Sequence, residues 1–295
     1  MRNYDTDPST AVEWKHWKKQ MQQRDLKLAA LLYNQVRILC LVLNRPGGLK
    51  YRQAIIDTWG KRCQTLLFFI GGNDTLIEQL NSFTQLVHLD IKDGYNAVWT
   101  KAQKAFAYVH SNFSGTFDWL MRIDDDSYVV MENLRLFLLE MDPTKPEVYG
   151  VQFKWPVKEG YVSTGAGISM SAQTFERLLS SLRSDSCSKN ATHHDDVEMA
   201  KCLQLEGVSA VDTRDEMKRI RFSRFTPEQA INNKMGENTY KKHSSVPIKK
   251  DFECCSDDMV AYHYVSPEQI RAMEFMIYYQ HPFSNRKSWE RPTDD

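Results

Sequence analysis

The chain has 295 residues, of which 42% are hydrophobic and 12% aromatic, enough apolar side chain to bury a large core and to exclude a mainly disordered protein. Its 38 basic and 38 acidic residues cancel, so no global field recruits nucleic acid or an anionic membrane, and any ligand must be recognised locally. The most apolar early stretch, Leu28 to Leu43, is broken by Asn34, Gln35 and Arg37, and the residues after Met1 are polar, so neither a membrane anchor nor a secretory signal is read in this chain.

Residues 1–34 carry many charges without two-residue alternation and read as a stem or solvated helix, with Ala11 to Leu32 the helical part. Val36 to Leu43 is then a near-continuous apolar run, as expected of a strand buried on both faces of a parallel sheet. Asn44-Arg45-Pro46-Gly47-Gly48 ends it, Tyr51 to Trp59 has helical spacing, and Leu66 to Ile70 is a second buried strand closed by Gly71-Gly72. A third strand is expected at Leu86 to Ile91. A helix follows from Ala97 to Asn112, with Ala102, Ala105, Phe106 and Val109 on one face, and a fourth strand at Phe117 to Ile123. Strands alternating with helices predict a doubly wound α/β sheet, whose ligands bind beyond the carboxyl ends of the strands. Beyond Phe153 come a glycine cluster at Gly160 to Gly167, a helix from Ala172 to Leu182, another starting near Asp195, and an irregular polar region over 212–258. The segment Tyr262-His263-Tyr264 and a helix from Pro267 to Tyr279 close the domain, which spans 35–282 and leaves 283–295 as a polar tail.

Six cysteines, Cys40, Cys63, Cys187, Cys202, Cys254 and Cys255, can form three bridges, with Cys40 and Cys63 a candidate pair. No CxxC pair is present, which argues against a zinc ribbon. Acceptor sequons at Asn73, Asn112 and Asn190 agree with a lumenal protein but arise often by chance.

Three successive carboxylates, Asp124-Asp125-Asp126, stand where the fourth strand ends, after Trp119-Leu120-Met121 and Ile123. Side chains alternate along extended chain, so Asp124 and Asp126 face the same way and can share a hard cation and the diphosphate bound to it, while Asp125 points elsewhere. A nucleotide-sugar donor needs such a site, because the departing diphosphate carries concentrated charge that a divalent ion neutralises. An acidic turn capping the helix that begins near Met131 is the ordinary alternative.

In order along the chain stand Thr58-Trp59-Gly60-Lys61-Arg62-Cys63, Lys104-Ala105-Phe106-Ala107-Tyr108-Val109, Asp118-Trp119 with Asp124-Asp125-Asp126-Ser127-Tyr128-Val129, Gly160-Tyr161 with Gly165-Ala166-Gly167, and Cys254-Cys255-Ser256-Asp257 with His263-Tyr264-Val265. From about Val36 to Pro282 this pattern resembles glycosyltransferase family 31, and within it the core 1 β3-galactosyltransferases. The resemblance implies a GT-A fold, a nucleotide-binding α/β half fused to an acceptor-binding half. It implies an inverting enzyme that moves galactose from UDP-galactose, in β-1,3 linkage, to N-acetylgalactosamine on Ser or Thr of a glycoprotein. By the same resemblance Asp126 binds Mn²⁺, Asp124 contacts the ribose or the metal, and His263 occupies the place of the remaining protein ligand. An imidazole suits Mn²⁺ better than Mg²⁺. Gly165-Ala166-Gly167 lets the backbone approach the donor sugar. The segment His193-His194-Asp195-Asp196-Val197 matches an acidic pair at a helix start, with Asp196 as the base that takes the acceptor proton and Asp195 in place of the customary glutamate. A doubly acidic helix start stabilised by the dipole is the alternative there. Beside them His193 and His194, with no third ligand at fixed spacing, read as solvated loop residues. Trp59, Arg62, Trp99 and Lys104 recur in the motifs but are not assigned to the site. Family members are normally type II Golgi membrane proteins, and a homodimer is compatible with the resemblance.

The pattern departs from the core 1 enzymes in one stretch. Where they carry tryptophans and tyrosines that help form the acceptor surface, this chain has Met235-Gly236-Glu237-Asn238-Thr239-Tyr240 through Pro247, without tryptophan, and offers Lys154-Trp155-Pro156 elsewhere. Fringe-type N-acetylglucosamine transfer keeps the same chemistry with other sugars. A chaperone-like paralogue is the non-enzymatic alternative, against which the intact Asp124 to Asp126 stands.

Overall fold

The computed structural model of the chain describes residues 27–72, 76–184, 186–232 and 243–280. Every residue of β1 (Ile38–Leu43) is buried. Alternation sends Ile38, Cys40 and Val42 into one core and Leu39, Leu41 and Leu43 into the other, so this strand must lie between two layers. After β1 come α1 (Leu49–Asp57), β2 (Thr65–Gly72), β3 (Leu76–Asn81), β4 (Thr84–Asp90), α2 (Val98–Phe113), β5 (Trp119–Asp124), β6 (Ser127–Val129) and α3 (Met131–Leu139). They are followed by β7 (Glu147–Tyr149), β8 (Val151–Phe153), β9 (Tyr161–Ser163), β10 (Ile168–Ser171), α4 (Ala172–Arg183) and α5 (Asp195–Leu205). The chain continues through β11 (Ser209–Ala210), β12 (Phe222–Ser223), α6 (Pro227–Ile231), β13 (Ala261–His263) and α7 (Pro267–Glu274).

The main sheet has the order β11-β7-β10-β5-β1-β2-β4-β3, with β5, β1, β2 and β4 running parallel and β10 and β3 antiparallel to their neighbours. Ala54 and Ile55 of α1, Met131, Leu134 and Leu138 of α3, and Ile270 of α7 cover one face. On the other face lie Trp99, Ala102, Ala105, Phe106 and Val109 of α2, Phe175 and Leu178 of α4, and Met199 and Leu203 of α5. The expected α/β class and mostly parallel sheet are observed. A small sheet, β12-β13-β6, packs Tyr128, Val129, Phe222 and Ala261 against the first core, and so brings residue 263, late in the sequence, next to the segment after β5.

The structure differs from the sequence reading at three places. β3 was not expected, because Leu76-Ile77-Glu78-Gln79-Leu80 has neither alternation nor burial; it is an exposed edge strand paired with β4. The last helix is α-helical only to Glu274, and Phe275–Tyr279 continues in wider π-type turns. Of the expected helix from Ala11 to Leu32, residues 27–35 are helical and 1–26 lie outside the described residues, as do 281–295. Among the described residues no helix is long and apolar enough to cross a membrane.

All six cysteines are paired: Cys40 with Cys63, Cys187 with Cys202, and Cys254 with its neighbour Cys255. The first bridge ties β1 to the turn before β2, and the second ties α5 to the loop that leads into it.

Candidate active site

In the sheet the chain moves outward from β1 through β2 to β4, then returns to lay β5 on the opposite side of β1. The crevice beyond the carboxyl ends of β1 and β5 is therefore the topological switch point. A cleft of about 650 Å³ opens there. Its walls include Arg45 after β1, Asp124 and Asp126 after β5, Asp195 and Asp196 at the start of α5, and His263 at the end of β13.

Asp124, Asp126 and His263 present ligand atoms that all lie within 4.8 Å of one another. The His263 Nε2 is 3.1 Å from Asp126 Oδ1 and 3.6 Å from Asp124 Oδ2. Asp125 is buried and held on the β1 side, accepting hydrogen bonds from Asn44 Nδ2 (2.7 Å), Arg45 N (2.8 Å) and Arg45 Nε (2.7 Å); residues 125–126 form a turn, so these bonds, not strand alternation, separate it from Asp124 and Asp126. Arg45 also reaches Asp126 Oδ2 at 2.9 Å. Burial alone would raise the Asp126 carboxyl, but the hydrogen bond and charge of His263, with those of Arg45, outweigh it and hold the group at about 2.

The imidazole is placed by backbone. His263 pairs with Ser127 in the β13–β6 ladder, and Ser127 Oγ donates to the Gly165 carbonyl at 2.7 Å, which lays that glycine against the ring. A Cβ at residue 165 would collide with the imidazole, so the close approach demands glycine. The ring's Nδ1 has no hydrogen-bond partner among the described residues, so strand pairing and the Gly165 contact orient it. Two carboxylates and one imidazole make a donor set that fits a divalent cation of the manganese class. Gly165 lines the cleft, but Ala166 is buried in the core and Gly167, with φ +93°, turns the chain into β10; neither of the latter two reaches the cleft wall.

Two buried cations beside the cleft escaped the sequence reading. Arg122, in β5, is wholly buried; its Nη1 donates to Asp124 Oδ1 at 2.5 Å and to the Thr164 carbonyl at 3.3 Å, and its Nη2 lies 2.6 Å from Asp195 Oδ2. One lone charge in an apolar strand, two residues before Asp124 and so on its face, was the available signal. Lys101 is also buried, donating to the Asn44 carbonyl at 3.0 Å and pairing with Asp93 at 2.7 Å. Its position four residues before Ala105, on the buried face of α2, marked it.

The acidic pair at the start of α5 divides. Asp195 is buried and spent on Arg122, with Thr164 Oγ1 donating to it at 3.4 Å; burial drives its pKa up and Arg122 opposes that rise. Asp196 is half-buried on the cleft wall and accepts the Val197 N–H at 2.8 Å. Burial raises its pKa too, with the Val197 N–H and the more distant Arg122 pulling it back. A carboxylate of raised basicity facing a cleft can take a proton from a bound hydroxyl.

His193 and His194 also line the cleft, the His193 ring stacked on Tyr95 and tilted against that of His194, outside the carboxylate–histidine cluster. Trp59, Arg62, Trp99 and Lys104 do not line it. Trp59 Nε1 donates to the Ser127 carbonyl (3.0 Å), Arg62 grips Glu274 of α7 (2.8 and 3.0 Å), Trp99 Nε1 donates to Ser188 (2.7 Å) and Lys104 to Asp90 (2.9 Å). They hold the elements that carry the site.

The galactosyltransferase family model matches residues 50–176. Over 275 residues the chain is 31% identical to glycoprotein-N-acetylgalactosamine 3-beta-galactosyltransferase 1 of Xenopus laevis, a match covering 92% of this chain and 74% of that protein. The chain belongs to the galactosyltransferase family. UDP-GalNAc:beta-1,3-N-acetylgalactosaminyltransferase 1 of Rattus norvegicus is 27% identical to this galactosyltransferase over 143 residues, 43% of this chain and 42% of that protein. The crystal structure of the glycosyltransferase GlyE of Streptococcus pneumoniae aligns over 79% of this chain and 56% of that one, with a TM-score of 0.39 and 11% identity. Arg122, Asp124, Asp126 and Gly165 fall inside the stretch matched by the family model, whereas Asp195, Asp196 and His263 lie beyond it.

Proposed function

We propose that this galactosyltransferase moves galactose from UDP-galactose, with inversion and in β-1,3 linkage, onto N-acetylgalactosamine O-linked to Ser or Thr of glycoproteins. The observation that carries the reading is that Asp124, Asp126 and His263, within 4.8 Å of one another, share one cleft with Asp196. The name of the Xenopus relative supports this donor and acceptor. Asp124, Asp126 and His263 would hold the divalent cation, Mn²⁺ by their donor chemistry, and when bound it neutralises the charge on the departing diphosphate. Asp196 is the base. The acceptor oxygen bonds to the anomeric carbon from the face opposite UDP, the bond to UDP breaks with its electron pair leaving on the diphosphate, and the hydroxyl proton passes to the Asp196 carboxylate. A single displacement needs only that one base. Arg122 fixes Asp124 and Asp195, and Gly165 fixes the ring of His263.

The same reading takes residues 1–34 as a stem or solvated helix, 35–282 as a GT-A catalytic domain and 283–295 as a polar tail. It places the enzyme in the Golgi lumen, with which three disulfides agree. The test is a panel of UDP-sugars with the purified chain and a glycopeptide bearing N-acetylgalactosamine on threonine. Galactose transfer that needs Mn²⁺ is expected. No Mn²⁺-dependent release of UDP from any donor would refute an enzyme, and transfer of N-acetylglucosamine instead would refute the galactosyl reading.

A further inference from the structure

Trp155 is 63% exposed, so its indole is open to a ligand. It is held there. Its ring lies 5.1 Å from that of His243, the Lys154 N–H donates to the His243 carbonyl at 2.8 Å, and Phe153 bridges to Ser244. The strand that delivers it, β8, pairs with β9, and Phe153 stacks at 5.4 Å on Tyr161, which lines the cleft.

The position relative to the chemistry follows from Val157. That residue packs with Val197 and Ala200 of α5, and Val197 is the immediate neighbour of Asp196. Two residues of chain span at most about 7 Å, so the Trp155 backbone lies within about that distance of the residue that packs on the first turns of α5. It is not part of the cleft wall. A sugar whose hydroxyl meets Asp196 must lie inside the cleft, and what leads out of the cleft from that sugar is the peptide to which it is linked.

We infer that Trp155, braced by His243, is a platform for the peptide portion of the glycopeptide acceptor, stacking against the backbone and apolar side chains that flank the glycosylated residue. The inference rests on the acceptor reading above and adds the residue that reads beyond the sugar. It gives the chain an aromatic acceptor contact away from the stretch 235–247, of which residues 235–242 lie outside the described residues.

The experiment compares two acceptors, a glycopeptide with N-acetylgalactosamine on threonine and methyl α-N-acetylgalactosaminide, which has no peptide and no aromatic aglycone. Trp155→Ala should raise KM for the glycopeptide about fivefold, the worth of one stacked aromatic contact. It should leave kcat, KM for UDP-galactose and KM for the methyl glycoside unchanged, and Trp155→Phe should restore most of the loss. Because the side chain is exposed, the melting temperature should not move. Equal increases for both acceptors would place the indole against the reacting sugar and overturn the inference, as would no change for either. A wild-type enzyme that transfers to neither acceptor would instead overturn the functional reading, and the platform with it.

Discussion

Asp195 and Asp196 are adjacent carboxylates at one helix start, yet their removal should fail in different ways. In Asp196→Asn the amide oxygen can still accept the Val197 N–H now at 2.8 Å, and no buried cation loses its direct partner, so the fold and the binding of UDP and Mn²⁺ should survive. An amide cannot take the acceptor proton, and loss of a general base costs roughly 10²- to 10⁴-fold in rate. Asp195→Asn leaves Arg122, wholly buried, with Asp124 as its only direct carboxylate. Breaking a buried pair from one side costs about 3–5 kcal/mol, and the surviving contact to Asp124 puts the loss at the lower end, about 3 kcal/mol. The second variant should therefore appear first as a lower denaturation midpoint, with a milder loss of turnover. Initial transfer rates with both substrates saturating, UDP affinity by calorimetry, and urea melts of both variants separate the cases. Near wild-type turnover in Asp196→Asn would refute the assignment of the base, and a rate loss larger in Asp195→Asn than in Asp196→Asn would exchange the two roles.

Asp126→Ala should abolish Mn²⁺-dependent donor binding in a folded protein, and unchanged affinity by calorimetry would remove Asp126 from the metal set. Gly165→Ala should weaken Mn²⁺ binding because the added methyl would fall on the His263 ring, 2.8 Å from Nε2, and displace it; unchanged affinity would show that the ring is not held by that contact. Cys40→Ser with Cys63→Ser opens a loop with a sequence separation of 23 and should cost about 3 kcal/mol in a urea melt, while the unreduced wild type should show no titratable thiol. Since burial holds Asp196 above the ordinary 3.8, the transfer rate should fall as pH drops through that raised value, the base being lost on protonation. An acid limb at or below the ordinary value, or one that persists in Asp196→Asn, would contradict this.

The sheet was legible where burial is two-sided. The run Ile38 to Leu43 announces a central strand because it carries no polar residue on either face, and the amphipathic stripe of α2 follows from the same burial. β3 was not legible, since an exposed edge strand is under no apolar constraint. At the site, the sequence grouped Asp124 with Asp126 by alternation and the structure brings them together through the turn at 125–126, but neither spacing nor alternation says which distant residue completes the cluster. His263 is brought there by the β6–β13 pairing with Ser127, a contact between segments far apart in the sequence that no local pattern encodes; only the ordered motifs pointed to it. The same holds for the difference between Asp195 and Asp196, which depends on Arg122 reaching across from β5. Ala166 and Gly167 were grouped with Gly165 as one motif, but only Gly165 faces the cleft, the next residue turning into the core.

Arg122 makes the two ends of the proposed reaction a single electrostatic object. A wholly buried guanidinium is tolerable only if carboxylates surround it, and here one contact is Asp124, from the cation cluster, and the other is Asp195, from the helix that carries the base. The dependence runs both ways. Burial drives the pKa of Asp195 and of Asp196 upward, and in each case Arg122 acts against it, keeping both groups closer to the ionised form than their surroundings allow. A neutral residue at 122 would leave Asp196 more basic but less often ionised, and would free Asp124 to turn away from Asp126 and His263. The charge of one strand residue thus bears both on the geometry offered to a cation, through Asp124, and on the protonation offered to an acceptor, where it adds to the Val197 N–H in opposing burial.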